Sequence, residues 1–192
     1  MTLTTTTTTN TKTVFQKAPF RVLATLILIQ GVMIGQVLLR PAAAQTGAVE
    51  DCTKISVEPQ RTACWLKKAK AGEKYLRNSW LNGVNLTGVN LSKADLSGAR
   101  LVKANLFKTN LTGADLREAH LEGANLHKAN LTKANLTKAN LVLADLVLAN
   151  LINANLTGAD LRGADVRGAK LIGTNLTGIK KDANTKGLPP GS

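Results

Sequence analysis

Aspartate and histidine are the side chains of this sequence that could support acid–base catalysis or bind a metal. Five aspartates recur at multiples of five residues, in a slot that asparagine fills elsewhere in the same stretch: Asp95, Asp115, Asp145, Asp160 and Asp165. Both residue types tolerate turn geometry, so their interchange favours a structural role. His120 shares the slot and His127 stands outside it, and a lone surface histidine is weak evidence for catalysis. The sequence therefore predicts no catalytic residue, no metal site and no cofactor.

The two cysteines, Cys52 and Cys64, form a separate candidate pair. In a cytosolic protein they would be free thiols, but behind an export signal two cysteines at this spacing indicate a disulfide. A metal site is disfavoured, since no further cysteine or histidine lies near them in the sequence. We therefore predict a disulfide, provided that the chain is exported.

Residues 1–44 have the organisation of a secretory signal. A threonine-rich start and a basic flank without acidic residues precede the uncharged apolar segment Val22–Leu39. Small residues at Ala42 and Ala44 fit cleavage between Ala44 and Gln45. Retention of the segment as a membrane anchor is an alternative, although its length is near the lower limit for spanning a bilayer. A second alternative is an organelle transit peptide followed by a signal for the thylakoid lumen.

Cleavage at this site is the first testable prediction. Mass spectrometry of the native protein should give a chain that starts near Gln45, because the small residues before it match signal-peptidase specificity. A native chain that still contains Val22–Leu39 would contradict cleavage and favour the anchor.

Between positions 81 and 176, leucine recurs every five residues, with Val166 as the single substitution. Alanine usually lies two residues before each leucine, with asparagine or aspartate between them. A helix would distribute the leucines around its circumference, and a long strand would alternate them between faces. A short extended piece followed by a two-residue turn satisfies the pattern, because alanine and leucine then point inward together. Each pentad thus predicts one side of a coil, with turns at glycines such as Gly83 and Gly113.

The segments ANLTKANLTKANL, ADLSGARL and ADLRGADVRGAKL resemble the pentapeptide-repeat family, A-[DN]-L-x-x, over about residues 81–180. The resemblance implies an all-β fold: a right-handed four-sided parallel β-helix of about five coils, with four pentads per coil. The export signal and cysteine-containing leader are similar to those of exported cyanobacterial members, some of which reside in the periplasm or thylakoid lumen. Most such members have no assigned activity.

The flanks of the repeat differ in composition. Residues 45–80 contain the two cysteines, both tryptophans and the only tyrosine, with a helix predicted from about Pro59 to Ala71, or resuming as far as Asn78. Because the end of a solenoid otherwise exposes its interior, we predict that this region is a short α-helical, disulfide-stapled N-terminal cap. Residues 181–192 are predicted to form a turn and a loose C-terminal tail.

These features favour a non-enzymatic structural or protein-interaction module outside the cytoplasm, in the periplasm or thylakoid lumen. Some relatives mimic DNA and inhibit DNA-topology enzymes, but a net charge of +13 and the export signal disfavour that alternative. Nucleic-acid binding is also disfavoured, since the repeat has no aromatic residue beyond Phe107 for stacking. Adhesion to anionic lipid or sugar through surface lysines remains a further alternative. Insertion in a membrane is expected only if Val22–Leu39 is retained.

One ten-residue stretch, LVLADLVLAN from Leu141 to Asn150, replaces the usual polar turn residues with apolar ones. If residues twenty apart stack, the sequence predicts an apolar patch on adjacent sides of one coil, with Phe107 stacked nearby. The residues of the predicted patch are Phe107, Val142, Leu143, Val147, Leu148 and Ile152. Branched residues also pack well on sheet surfaces, so the cluster could be surface alone. The sequence favours a contact with an unknown protein partner or, in a two-fold homodimer, with a second copy.

Overall fold

The computed structural model describes residues 51–191, which lie within one compact unit, Gly47–Ser192. The predicted signal, its apolar segment and its cleavage site between Ala44 and Gln45 lie outside the described residues. Within the described part, no helix is both long and apolar enough to cross a bilayer.

The N-terminal region contains a 3₁₀ helix, Cys52–Lys54, and an α-helix, α1, Gln60–Lys70. Helix α1 ends at Lys70, and Gly72, which follows its C-cap, has a left-handed φ of 78°. The N–H of Gly72 donates to Ala69 and that of the next residue donates to Lys68, both at 3.1 Å, and these two bonds satisfy terminal carbonyls of the helix. The sequence predicted this helix to within one residue at each end.

The predicted disulfide between Cys52 and Cys64 is present, with their Cα atoms 5.7 Å apart. It joins the 3₁₀ helix to α1. Both cysteines are buried, and they belong to the same apolar cluster as the leucines of the coil.

The remainder of the chain is a four-sided coil built from parallel β-bridges. All the bridges but the last join residues twenty apart, so every fourth pentad stacks on the same side. The N–H of a core leucine donates to the carbonyl nineteen residues on, as from Leu101 to His120 and from Leu126 to Asp145, both at 2.7 Å. The leucine and alanine of the repeating A-[DN]-L unit point inward and form one continuous core, while the residue between them pairs with its neighbours in adjacent coils.

The paired region extends beyond the predicted bounds of 81–180 at both ends. Its first bridge is made by Tyr75, and Leu76 and Ser79 fill the leucine and alanine slots with no exposed surface. Residues 75–80 therefore belong to the coil and not to the cap. The predicted boundary was displaced because serine replaces alanine here and an aromatic residue precedes the leucine.

The C-terminal boundary also needs correction, because residues 181–188 are not a loose tail. Lys186 pairs with Asp165, which is 21 residues earlier, so one extra residue is accommodated in the last turn. The hydroxyl of Thr185 donates to the carbonyl of Leu161 at 3.0 Å, and Leu188 packs against the core. The four ladders thus contain six, six, six and five residues.

Candidate interaction surface

The candidate acidic residues make local structural bonds. In each pentad that carries Asp or Asn in the paired slot, its Oδ1 typically accepts the backbone N–H two residues later, as between Asn130 and Thr132 at 3.1 Å. Asp115 and Asp165 do the same and also bind Arg117 and Arg167, with Oδ2–Nη2 distances of 2.5 and 2.6 Å. The interchange of Asp with Asn therefore reflects the turn.

The arginine partners also set the ionisation of these aspartates. Side-chain hydrogen bonds from Arg117, Arg162 and Arg167 lower the pKa of the aspartate two residues before each, against the opposing effect of desolvation. The carboxylates consequently stay ionised and paired around neutral pH. A general acid would need the opposite shift, a pKa raised towards neutrality.

Each histidine faces one carboxylate. Nδ1 of His120 is 3.7 Å from Oε1 of Glu122, and Nδ1 of His127 is 3.8 Å from Oδ2 of Asp145. Among residues 51–191, no three His, Cys, Asp or Glu side chains are grouped so that they could hold a metal ion. The two histidines therefore lie in separate pairs, each with one carboxylate.

The apolar cluster predicted from the sequence lies on three consecutive sides of one coil. We call it the apolar belt: Val142, Leu143, Val147, Leu148 and Ile152. Leu143 and Leu148 are 69% and 49% exposed, and the other three residues are half-buried. Phe107, the remaining residue of the predicted patch, lies two coils before Val147 in the same column, and its ring stacks on that of His127 at a centroid distance of 5.7 Å.

The backbone of the belt has a feature that the sequence did not indicate. Leu143 and Leu148 adopt left-handed φ angles of 58° and 59°. At the same turn position, the other left-handed residues of the coil are glycine, lysine, asparagine or glutamate. A left-handed residue with a side chain costs about 1–2 kcal/mol, and both leucines also expose apolar surface to water. This combination of backbone strain and exposure marks the belt as a candidate functional surface.

Two glycines in the following coil leave room for these leucines. A Cβ built on Gly163 would lie 2.7 Å from Cδ2 of Leu143, and one on Gly168 would lie 2.8 Å from Cδ2 of Leu148. The leucine side chains therefore lie across the glycine turns of the next coil. One coil further on from Ile152, Ile172 extends the apolar surface and is 75% exposed.

A family comparison agrees with this architecture. The family model for pentapeptide repeats matches eight copies in residues 75–107, 109–146 and 139–178, which together make up more than half of the chain. The chain belongs to the pentapeptide-repeat family. Pentapeptide-repeat proteins fold as right-handed quadrilateral β-helices and are generally non-enzymatic structural or interaction modules.

Solved structures of other pentapeptide-repeat proteins are similar to this chain. Rfr23 from the cyanobacterium Cyanothece 51142 is 32% identical, with 64% of this chain and 97% of that chain covered and a TM-score of 0.39. A thylakoid-lumen member from Arabidopsis thaliana is 31% identical, with coverages of 57% and 66% and a TM-score of 0.31. A member from Nostoc PCC 7120 is 29% identical, with coverages of 68% and 87% and a TM-score of 0.33. No match was found among functionally curated proteins.

Charged groups of both signs border the belt of this pentapeptide-repeat protein. Lys128 lies one coil before Leu148 in the same column, and Asp145 lies between the two exposed leucines. Beyond the belt, Arg162 and Arg167 are each bound to the aspartate two residues earlier, with Nη2–Oδ2 distances of 2.7 and 2.6 Å. These internal pairs reduce the repulsion that free guanidinium groups would exert on an approaching surface.

A second surface, which the sequence reasoning missed, lies where α1 meets the coil. The Trp80 ring contacts the guanidinium groups of Arg61 and Arg100, with centroid distances of 4.5 and 4.4 Å. His120 follows in the same ladder, so three successive coils carry Trp, Arg and His in the slot that holds Asn or Asp in most other pentads. The replacement of Asn or Asp at twenty-residue intervals is visible in the sequence. It identifies the side of the coil on which Arg61 of α1 contacts Trp80.

Proposed function

We propose that this pentapeptide-repeat protein is an exported, non-enzymatic interaction module that associates with a second copy through the apolar belt. The observation that carries the proposal is the pair Leu143 and Leu148, exposed and held in left-handed turns. Burying their side chains would offset a cost that the isolated coil bears without compensation. Apolar contact in the centre of a patch, with charges at the rim, is the usual anatomy of a protein interface.

A second copy is the occupant that the rim charges favour. A two-fold axis makes each patch meet itself, so that residue i contacts residue j and j contacts i. Lys128 and Asp145 lie on the same part of the surface and have opposite charges. A two-fold axis near Leu148 would therefore bring Lys128 of each copy close to Asp145 of the other copy. The paired state of Arg162 and Arg167 supports this arrangement, since neither presents an uncompensated charge.

We further propose that residues 51–74 act as the predicted N-terminal cap, closing a coil of between five and six turns. Trp65 and Ala69 of α1 are buried in the cluster that contains the core leucines, and Arg61 contacts Trp80 of the first coil. A terminal coil needs such a cover because its inward leucines would otherwise face water.

Export is the second part of the proposal, with the periplasm or the thylakoid lumen as the compartment. It rests on the signal-like residues 1–44, and the disulfide supports it because disulfides persist in oxidising compartments. The same signal and the net charge of +13 argue against a cytoplasmic DNA mimic.

The belt is tested by the double variant Leu143→Lys/Leu148→Glu. Sedimentation equilibrium should show a dimer for the wild type and a monomer for the variant, because two charges replace the apolar contact. The circular dichroism spectrum should be unchanged, since lysine and glutamate already occupy this left-handed position at Lys128 and Glu118. A wild type that stays monomeric at about 100 μM, a concentration at which a dimer bound by roughly 8 kcal/mol would form, would refute the proposal.

Two further variants sharpen the test. Lys103→Glu/Lys108→Glu changes the same two columns two coils away and should leave the dimer intact. Leu143→Gly/Leu148→Gly should abolish the dimer while raising the free energy of unfolding of the monomer by roughly 1 kcal/mol per site, since glycine relieves the left-handed strain. A glycine variant that still dimerises would show that the leucines do not form the contact.

A further inference from the structure

The C-terminal end of the coil carries lysine in a position where the coil otherwise avoids it. Three of the four ladders end in lysine, at Lys170, Lys180 and Lys186, and the fourth ends at Asn175. No earlier residue of any described ladder is lysine. All three lysines are exposed. The last coil therefore presents a basic group on three of its four sides.

The same end leaves apolar side chains and backbone donors uncovered. Leu171, Leu176 and Ile179 point inward but are only partly buried, and Ile172 beside them is 75% exposed. In earlier coils the leucine N–H donates to the next coil, as from Leu151 to Lys170 at 2.9 Å. The N–H groups of Leu171 and Leu176 have no acceptor within residues 51–191. This end is thus apolar at its centre, rich in hydrogen-bond donors and basic at its rim.

The charge at this end excludes some occupants. A second copy packed end to end would bring two sets of three lysines together, and like charges in contact oppose association. Stacking of this end on the opposite end of another copy is blocked, because α1 covers the N-terminal coil. A partner strand would pair along one side only, since each side contributes one bridged residue before the chain turns a corner.

We propose that the open C-terminal end binds an anionic lipid surface. Lysines around an apolar centre match the boundary between charged headgroups and acyl chains. The phosphate oxygens of the headgroups can accept hydrogen bonds from the lysines and from the unpaired backbone N–H groups. These N–H groups would be costly to bury in hydrocarbon without an acceptor. Residues 170–191 hold four lysines and one aspartate, a net charge of +3. The surface is distinct from the apolar belt, so this proposal does not depend on dimer formation.

The test compares two triple variants of the protein recovered in its exported form. Lys170→Gln/Lys180→Gln/Lys186→Gln removes the basic rim, and Lys103→Gln/Lys133→Gln/Lys138→Gln removes three exposed lysines from the sides of the coil. Both change the net charge by the same amount. Glutamine is preferred to glutamate because Lys180 and Lys186 interact electrostatically with Asp160 and Asp165 in the coil before them. Circular dichroism then checks that both variants remain folded.

Sedimentation with phosphatidylcholine vesicles, with and without about one third phosphatidylglycerol, measures binding at physiological salt. The wild type should bind only the anionic vesicles, and the end variant should bind about a hundredfold more weakly, because each lysine near an anionic surface contributes about a fivefold factor. The side variant should bind like the wild type. No binding by the wild type, or an equal loss in both variants, would overturn the proposal. Binding to soluble polyglutamate in place of vesicles would also overturn it and indicate an acidic protein partner.

Discussion

Replacing Leu146 by lysine is expected to unfold the coil. Leu146 has no exposed surface and stacks in one column between Leu126 and Val166. An unpaired ammonium at this position would lose its hydration with no carboxylate in reach, because the described core around it consists of leucine, alanine and valine. The free energy of unfolding is expected to fall by more than about 4 kcal/mol. Single substitutions reach a loss of this size only through mechanisms such as the burial of an unpaired charge. Thermal unfolding followed by circular dichroism measures it.

The matched control is Leu148→Lys, two residues away. The same substitution there should change the free energy of unfolding by less than about 1 kcal/mol, since Leu148 is 49% exposed and lysine takes the equivalent turn position at Lys128. Leu146→Ala provides an intermediate case, with an expected loss of about 2–5 kcal/mol for a cavity without a charge. Equal stability of the two lysine variants would contradict the assignment of inward and outward positions.

The inward and outward assignment follows from the sequence because the five-residue period admits few alternatives. An odd period excludes a flat strand, and leucine two residues after alanine requires both to share a face. The period alone therefore places Leu146 inside the coil and Leu148 outside it. The ends of the coil could not be placed as well. Ser79 and Tyr75 break the residue pattern without breaking the geometry, and Lys186 pairs after a six-residue spacing that the period does not contain.

The belt was predictable in position but not in conformation. Stacking at twenty residues brings Val142, Leu143, Val147 and Leu148 together, and the structure agrees. The left-handed backbone of the two leucines had no signal of its own, since leucine gives no indication of positive φ. Phe107 lies two coils before Val147 in the same column, as twenty-residue stacking predicts, and the imidazole of His127 in the intervening coil stacks on its ring.

Removing the disulfide with Cys52→Ala/Cys64→Ala should open the N-terminal end of the coil first. The bond closes a loop with a sequence separation of 12, and loss of such a cross-link reduces stability by about 3 kcal/mol. The disulfide cross-links only the N-terminal region, and each coil contacts only its neighbours. The loss of stability should therefore decrease along the axis of the coil. Hydrogen exchange should accelerate at the amides of Leu76 and Leu81, whose bonds to Asp95 and Arg100 are 2.8 Å long, and stay slow at Leu131.

Two comparisons separate the covalent bond from the packing of the cap. Mild reduction of the wild type should reproduce the exchange pattern of the double variant, because both leave α1 intact and remove the same link. Trp65→Ala, with the disulfide retained, removes a buried ring from the cap and should also expose the first coil. If the double variant instead accelerates exchange equally at Leu81 and Leu131, the coil unfolds as one cooperative unit and the disulfide stabilises all of it. If exchange does not change at any amide, the packing of α1 alone protects the N-terminal coil, and the disulfide is not required for that protection.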